Sequence, residues 1–154
     1  LNKNNPPWII FISLHAILYL LLLNKNIMNF ITELYIVSAL QIIIAIGLLN
    51  VWLVRFHKPT KYRGAGAGNM EQEFRAYGLP VWFMYAIGAA KLIIAVLMII
   101  GLWLPVVVVP AAFILGVLMI GAISMHAKVH DKIVRTMPAI LMLLMAVGII
   151  VIKM

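Results

Sequence analysis

Three polar residues lie within apolar stretches of this 154-residue chain, where charged or hydrogen-bonding side chains are costly and often functional. Lys91 lies near the middle of its stretch, Gln41 lies at a similar depth in the preceding one, and His15 lies at mid-depth in the first. Gly88 and Ala95 share the helical face of Lys91, and small residues of this kind pack against other helices. We therefore expect the three polar side chains to meet inside a helix bundle.

This intramembrane polar cluster of Lys91, Gln41 and His15 has three interpretations. It is a set of interhelical hydrogen bonds that fixes packing, a pocket for a quinone headgroup or another small amphiphile, or a site where a partner protein supplies a counter-ion to Lys91. No carboxylate of the chain is well placed for that last role, because Glu33 lies about 12 Å from Gln41 along a helix.

The segment 55–79 carries a second group of polar residues and is rich in Lys and Arg. One interpretation is attraction to anionic lipid headgroups, at about 1 kcal/mol per basic residue near the surface. The other is a docking surface for a partner subunit, in which Arg63 and Glu73 make the specific contacts. Both interpretations place the segment at the cytoplasmic interface.

His126 and His130 are four residues apart, a spacing that places two imidazoles on one face of a helix, and Asp131 is adjacent. Two histidines make an incomplete metal site, and they fall at the predicted cytoplasmic boundary of the membrane. We therefore expect both residues to contact lipid or the neighbouring loop, and we expect no metal.

No residues form a recognisable catalytic constellation. The chain has no cysteine, which excludes thiolate nucleophiles, zinc–thiolate sites and iron–sulfur clusters. It has only four acidic residues. There is no pair of carboxylates at catalytic spacing and no Ser-His-Asp arrangement. We expect no catalytic residues, no catalytic activity of the chain on its own and no cofactor, with a quinone as the alternative.

The elements that position these residues follow from the composition. Hydrophobic residues make up 66% of the chain and charged residues 10%, with a mean hydropathy of +1.13, which excludes an ordinary water-soluble domain. The net charge of +8 comes from basic residues in short stretches beside apolar runs, which is typical of membrane proteins. We expect lipid to surround the chain, and no binding of nucleic acid.

Five apolar runs predict an all-α, polytopic membrane helix bundle. The core is a four-helix bundle over residues 33–154, and residues 1–32 add one N-terminal membrane helix followed by an external turn. Proline lies at the start of the last three runs, where a helix does not need the missing N–H. The runs are Trp8–Leu23, Glu33–Val54, Pro80–Ile100, Pro105–Met125 and Pro138–Ile152.

The orientation follows from the distribution of charge between the loops. The segment 55–79 and the loop after Met125 are basic, whereas the turn Gly101–Leu104 carries no charge. The positive-inside rule therefore predicts that the two basic loops are cytoplasmic. With five spans, the N-terminus is cytoplasmic as well. The expected location is the bacterial inner (plasma) membrane.

Several short motifs resemble those of the DoxX-like family of small four-helix membrane proteins. The resemblance covers residues 33–154 and implies the four-helix fold. It also implies a non-catalytic accessory subunit of a larger membrane complex, or alternatively a quinone-associated oxidoreductase subunit. The added N-terminal helix predicts packing against a partner subunit or a second copy of the chain, which would make a homo-oligomer. Lys91 departs from the family, which often carries Glu there. The motifs are Phe56-His57-Lys58, Tyr62-Arg63-Gly64, Glu73 to Pro80, Ile87 to Lys91, Leu118 to His126 and Met137-Pro138-Ala139.

Overall fold

The computed structural model describes the backbone of residues 7–154 and the side chains from residue 15 onward. Residues 1–6 of the predicted N-terminal segment, and the side chains of residues 7–14, lie outside the described residues. The chain divides into two compact units, residues 1–36 and 37–154. The predicted all-α fold is confirmed. The helices are α1 (Pro7–Leu49), α2 (Met70–Ala76), α3 (Val81–Ile100), α4 (Val108–Lys128) and α5 (Ile133–Lys153).

Within the described part of the chain, four helical segments are long and apolar enough to cross a membrane. The first takes in the predicted run Glu33–Val54 and the described part of Trp8–Leu23, and the other three match the three remaining runs. The chain is therefore a multi-pass membrane protein. The segments are His15–Val54, Val81–Ile100, Pro105–Lys128 and Ile133–Lys153.

The structure differs from the sequence prediction between the first two apolar runs. We predicted an external turn there, whereas residues 24–32 belong to α1. This stretch contains no proline and no glycine, and isolated Asn and Lys residues do not break a helix. Polar residues alone were therefore a poor indicator of a turn. A separate membrane crossing by residues 8–23 stays a prediction.

The second unit has a core formed by the end of α1 together with α3, α4 and α5. Small residues let the backbones approach, and Ala95, Ala112 and Ala146 are completely buried among larger side chains such as Ile44 and Leu115. Many contacts join the neighbouring helices α4 and α5, which the short loop 129–132 connects. The remaining space at the loop end of this bundle is closed by the segment 55–79.

The segment 55–79 contains the short helix α2, which the sequence analysis did not identify. Asn69 caps this helix by accepting a hydrogen bond from the N–H of Gln72 at 2.9 Å. Phe74 and Met70 face inward and pack around Trp52, which belongs to a π-helical turn, Asn50–Val54, at the end of α1. The helix therefore covers the bundle at one end. Its sequence signal is a capping residue followed by Glu71 and Glu73 in the first turn.

The loop between α4 and α5 contains a left-handed residue. The N–H of His130 bonds to the carbonyl of Ala127 at 3.1 Å, and the N–H of Asp131 bonds to the carbonyl of His126 at 3.0 Å. These two bonds form a Schellman motif, whose αL position is usually glycine. His130 occupies that position with φ of 53°. Because α4 has ended, His130 does not continue the helical face of His126.

Candidate functional site

A partly open cavity of about 590 Å³ lies within the second unit, between its long helices and beneath the segment 55–79. This volume falls within the usual range for small-molecule sites. Most of the lining is apolar and comes from residues such as Ile87, Leu118 and Met142. The polar side chains that line the cavity are Arg55, Arg63, Glu73, Tyr77, Lys91, His126 and Arg135, together with Asn50, Thr60 and Tyr62.

Lys91 reaches the cavity from α3 and lies beside Trp52. Its Nζ atom is 5.4 Å from the centroid of a Trp52 ring, a cation–π distance worth about 0.5–2 kcal/mol. The ring can approach α3 because residue 88 is glycine, and a Cβ atom there would lie 2.6 Å from Trp52. Among the described residues, no hydrogen bond or ion pair involves the Lys91 amine. The amine therefore faces the cavity with its hydrogen-bonding capacity unused.

Gln41 and Lys91 do not meet, although the sequence analysis placed them at one depth. The Gln41 amide donates to the backbone carbonyl of Met98 at 3.1 Å, beside Gly101. Met98 is seven residues beyond Lys91, which corresponds to about 10 Å along α3. Trp52 lies at the level of Lys91 instead. His15 belongs to the first unit, so the predicted cluster of three is not formed within the second unit.

Arg63 and Glu73 form a buried ion pair. The Arg63 Nη1 and Glu73 Oε2 atoms are 2.7 Å apart, and the two side chains are 4% and 11% exposed. Nη2 of Arg63 donates to the backbone carbonyls of Arg55 and Phe56. These contacts correct the docking hypothesis for this pair. Both side chains are buried and bind other residues of the segment 55–79, so neither is exposed for a contact with a partner. A sequence shows complementary charges but not which of them face each other.

Glu73 accepts three hydrogen bonds from other groups and none from Lys91. Besides Arg63, its carboxylate accepts the N–H of Gly64 at 2.7 Å and the hydroxyl of Tyr77 at 3.1 Å. Burial raises the pKa of Tyr77, and the neighbouring Glu73 charge and hydrogen bond raise it further. The phenol of Tyr77 therefore stays protonated and donates a hydrogen bond to Glu73 at the edge of the cavity.

His126 is buried at the end of α4 and is held by Asp131. The Nδ1 atom of His126 is 2.8 Å from Oδ2 of Asp131 and 3.3 Å from the Tyr77 hydroxyl oxygen. Of the two histidines assigned to the interface, His126 lines the cavity, whereas His130 is exposed in the following loop. Within residues 15–154, no three His, Asp or Glu side chains are grouped so that they could hold a metal ion.

Asp131 connects three parts of the chain. It accepts hydrogen bonds from Arg135 at 2.7 Å, from His126, and from the N–H of Ala65 at 3.0 Å. Burial acts to raise the pKa of Asp131, but the hydrogen bonds from Arg135, His126 and Ala65 outweigh it and leave the pKa below its ordinary value. The carboxylate is therefore ionised at neutral pH. Ala65 adopts φ of 52° to present its N–H.

The predicted site did not include Trp52, Tyr77, Asp131 or Arg135. Tyr77 was present only as part of a family motif, and Asp131 only as a neighbour of His130. A usable signal existed for Asp131 and Arg135, which are oppositely charged and four residues apart at the start of a helix. No comparable signal links Trp52 to Lys91, because their contact depends on how α1 and α3 pack.

Comparison with known proteins agrees with this architecture. A family model described as the DoxX-like family matches residues 62–148, which is more than half of the chain and a narrower range than the predicted 33–154. The matched range includes Arg63, Glu73, Tyr77, Lys91 and His126 of the cavity. No curated protein and no solved structure matches the chain. The chain therefore belongs to the DoxX-like family.

Proposed function

We propose that this chain is a membrane subunit that binds an amphiphilic small molecule, with the molecule's head group in the cavity beside Lys91. The observation that carries the proposal is the combination of apolar walls with an amine whose hydrogen bonds are unused. Pockets of this kind bind ligands by apolar contact and orient them by a few polar groups. The proposal concerns binding, and it assigns no catalytic step to the chain.

A quinone is one ligand class that fits this chemistry. Its carbonyl oxygen accepts a hydrogen bond from the Lys91 amine, and Tyr77 and His126 lie at the edge of the same cavity. Apolar residues such as Leu118 and Met142 can surround its isoprenoid tail. This agrees with the quinone-associated role that the sequence resemblance implied as an alternative, and it needs no metal site in the chain.

Fluorescence quenching tests the proposal because Trp52 lines the cavity, whereas Trp82 and Trp103 are exposed on the bundle. We expect decylubiquinone to quench the purified protein saturably, and Trp52→Phe to remove the saturable part. Lys91→Met should weaken binding at least about tenfold, since a hydrogen bond to a charged group is worth about 1.5–3 kcal/mol. The matched control is Lys153→Met, at the exposed end of α5. Unsaturable quenching that is equal in the parent and in Trp52→Phe would contradict the proposal.

We also propose that the subunit works within a larger membrane assembly, either with a different protein or with further copies of itself. Support comes from the first unit, whose described side chains, 15–36, are all exposed and mostly apolar. Such a surface is suited to lipid or to another transmembrane helix.

Deleting residues 1–26 tests the assembly proposal. We expect the remaining chain to stay inserted and stable in detergent, because the core is contained in residues 37–154. The mass of the native assembly should fall by more than the mass of the deleted segment. An unchanged assembly would count against the proposal, and aggregation of the truncated chain would show that the segment is part of the core.

A further inference from the structure

The cavity carries more positive charge than the chain itself neutralises. Four basic side chains line it, and two of these are paired with carboxylates, Arg63 with Glu73 and Arg135 with Asp131. The other two, Lys91 and Arg55, have no carboxylate partner among the described residues. Arg55 is exposed, so water can solvate it, whereas Lys91 lies within the membrane-spanning helix α3.

The carboxylates of the second unit are all paired with other basic residues, although Glu73 also attracts Lys91 through space. Glu71 pairs with Arg75 on the outer surface of α2. Glu73 already accepts three hydrogen bonds, and Asp131 accepts from three donors of its own. Turning any of these groups toward Lys91 would break an existing ion pair. The neighbour that the structure does provide, the ring of Trp52, attracts a cation but cannot neutralise it.

A cation in an apolar cavity attracts an anion more strongly than it would in water, because the low dielectric of the surroundings weakens the interaction less. A charged group within a membrane span is also costly unless it is paired. An anionic oxygen placed beside Lys91 would supply both the missing charge and the missing hydrogen-bond acceptor. A neutral carbonyl oxygen would supply only the second.

We infer that the cavity selects an acidic amphiphile, whose ionised oxygen head group pairs with Lys91 while its hydrocarbon tail lies against the apolar walls. This inference rests on the proposed function and specifies the ligand class for the same site. A long-chain carboxylic acid and a long-chain alkyl phosphate share this chemistry. The tail would contact residues such as Ile87, Leu118 and Met142, and Trp52 would flank the head group.

The test compares ligands that differ only in charge. A nitroxide-labelled stearic acid and its methyl ester are titrated against the purified protein in a neutral detergent, at a pH where the acid is ionised, and quenching of Trp52 is measured. Unlabelled dodecyl phosphate and decylubiquinone then compete with the bound acid. We expect the acid to bind at least about tenfold more tightly than the ester, a modest preference for one added charge pair.

Variants of Lys91 connect this preference to the structure. Lys91→Met should remove the preference for acid over ester, because acid binding weakens more than ester binding, and Lys91→Arg should retain it because the charge is kept. Lys153→Met serves as the control and should behave like the parent. If Lys91→Met does not fold, the parent's preference for the acid and its retention in Lys91→Arg still decide the question.

Each outcome has a defined meaning. If dodecyl phosphate displaces the acid and an equal concentration of decylubiquinone does not, the ligand is acidic and the phosphate source is favoured. If neither compound displaces the acid, the carboxylate source is favoured. Equal binding of acid and ester, or tighter binding of decylubiquinone, overturns the inference and leaves the proposed function standing. If none of the ligands binds saturably, both the inference and the proposed function are wrong.

Discussion

Replacing Arg63 by methionine is expected to be the most destabilising single change in the segment that closes the cavity. The substitution removes a guanidinium that is 4% exposed and 2.7 Å from the Glu73 carboxylate. Leaving one member of a buried ion pair uncompensated costs about 3–5 kcal/mol. Glu73 keeps its hydrogen bonds from the Gly64 N–H and the Tyr77 hydroxyl. We therefore expect a loss near the lower end of that range, about 3 kcal/mol.

The double variant Arg63→Met/Glu73→Gln separates the ion pair from packing. The glutamine carries no charge that needs a partner, and its oxygen can still accept from Gly64 and Tyr77. We expect the double variant to be more stable than Arg63→Met alone, which gives a favourable coupling energy in the double-mutant cycle. Thermal unfolding in detergent measures the free energies, and trypsin cleavage after Lys61 measures opening of the segment.

Arg75→Met provides the matched control. Arg75 pairs with Glu71 at a similar distance, 2.6 Å, but the two side chains are 67% and 45% exposed. Exposed pairs contribute about 0–1 kcal/mol, so this variant should unfold almost as the parent does. The reasoning would be refuted if Arg75→Met and Arg63→Met had equal effects. It would also fail if the double variant were less stable than either single variant.

Three further predictions follow from the loops and the topology. His130→Gly should raise the free energy of unfolding by up to about 1 kcal/mol in thermal unfolding, because glycine adopts the αL conformation without strain. Asp131→Asn should destabilise the protein at neutral pH. The pKa of Asp131 is lower in the folded protein than in the unfolded chain. The stability difference between the parent and the variant should therefore disappear as the pH falls below the ordinary aspartate value of 3.8. A stability difference that grew with acidity would contradict this prediction. In intact cells, an impermeant thiol reagent should label cysteine at Trp103 and should not label it at Lys61 or Lys132; the reverse pattern would overturn the orientation.

Much of the fold was predictable because a bilayer allows few architectures. Long apolar runs must become helices when lipid surrounds them, so the four core helices could be inferred from hydropathy alone. The boundaries were less accurate. The helix α5 begins at Ile133 rather than at Pro138, because Arg135 and Thr136 are compatible with a helix even though they are not apolar.

Several residues of the site were predictable from the sequence, but the contacts between them were not. Lys91 and His126 both line the cavity, but the supposed neighbour Gln41 binds the backbone at Met98 instead. Depth along a helix can be counted only when the helix ends are known. Here the π-helical turn Asn50–Val54 extends the first core helix and places Trp52 opposite Lys91. Neither the turn nor the crossing of α1 and α3 has a local sequence signal.

The carboxylate of Asp131 has a consequence for how the protein opens. It bonds to His126 at the end of α4, to Arg135 in α5 and to the backbone of Ala65. An opening that releases the Ala65 amide must therefore break a contact that also holds the ends of two membrane helices. The loop and the α4–α5 hairpin end should accordingly unfold together as one cooperative unit. In hydrogen exchange, the Ala65 amide would then be protected to a similar degree as the amides of residues 129–131, despite its position in an exposed loop.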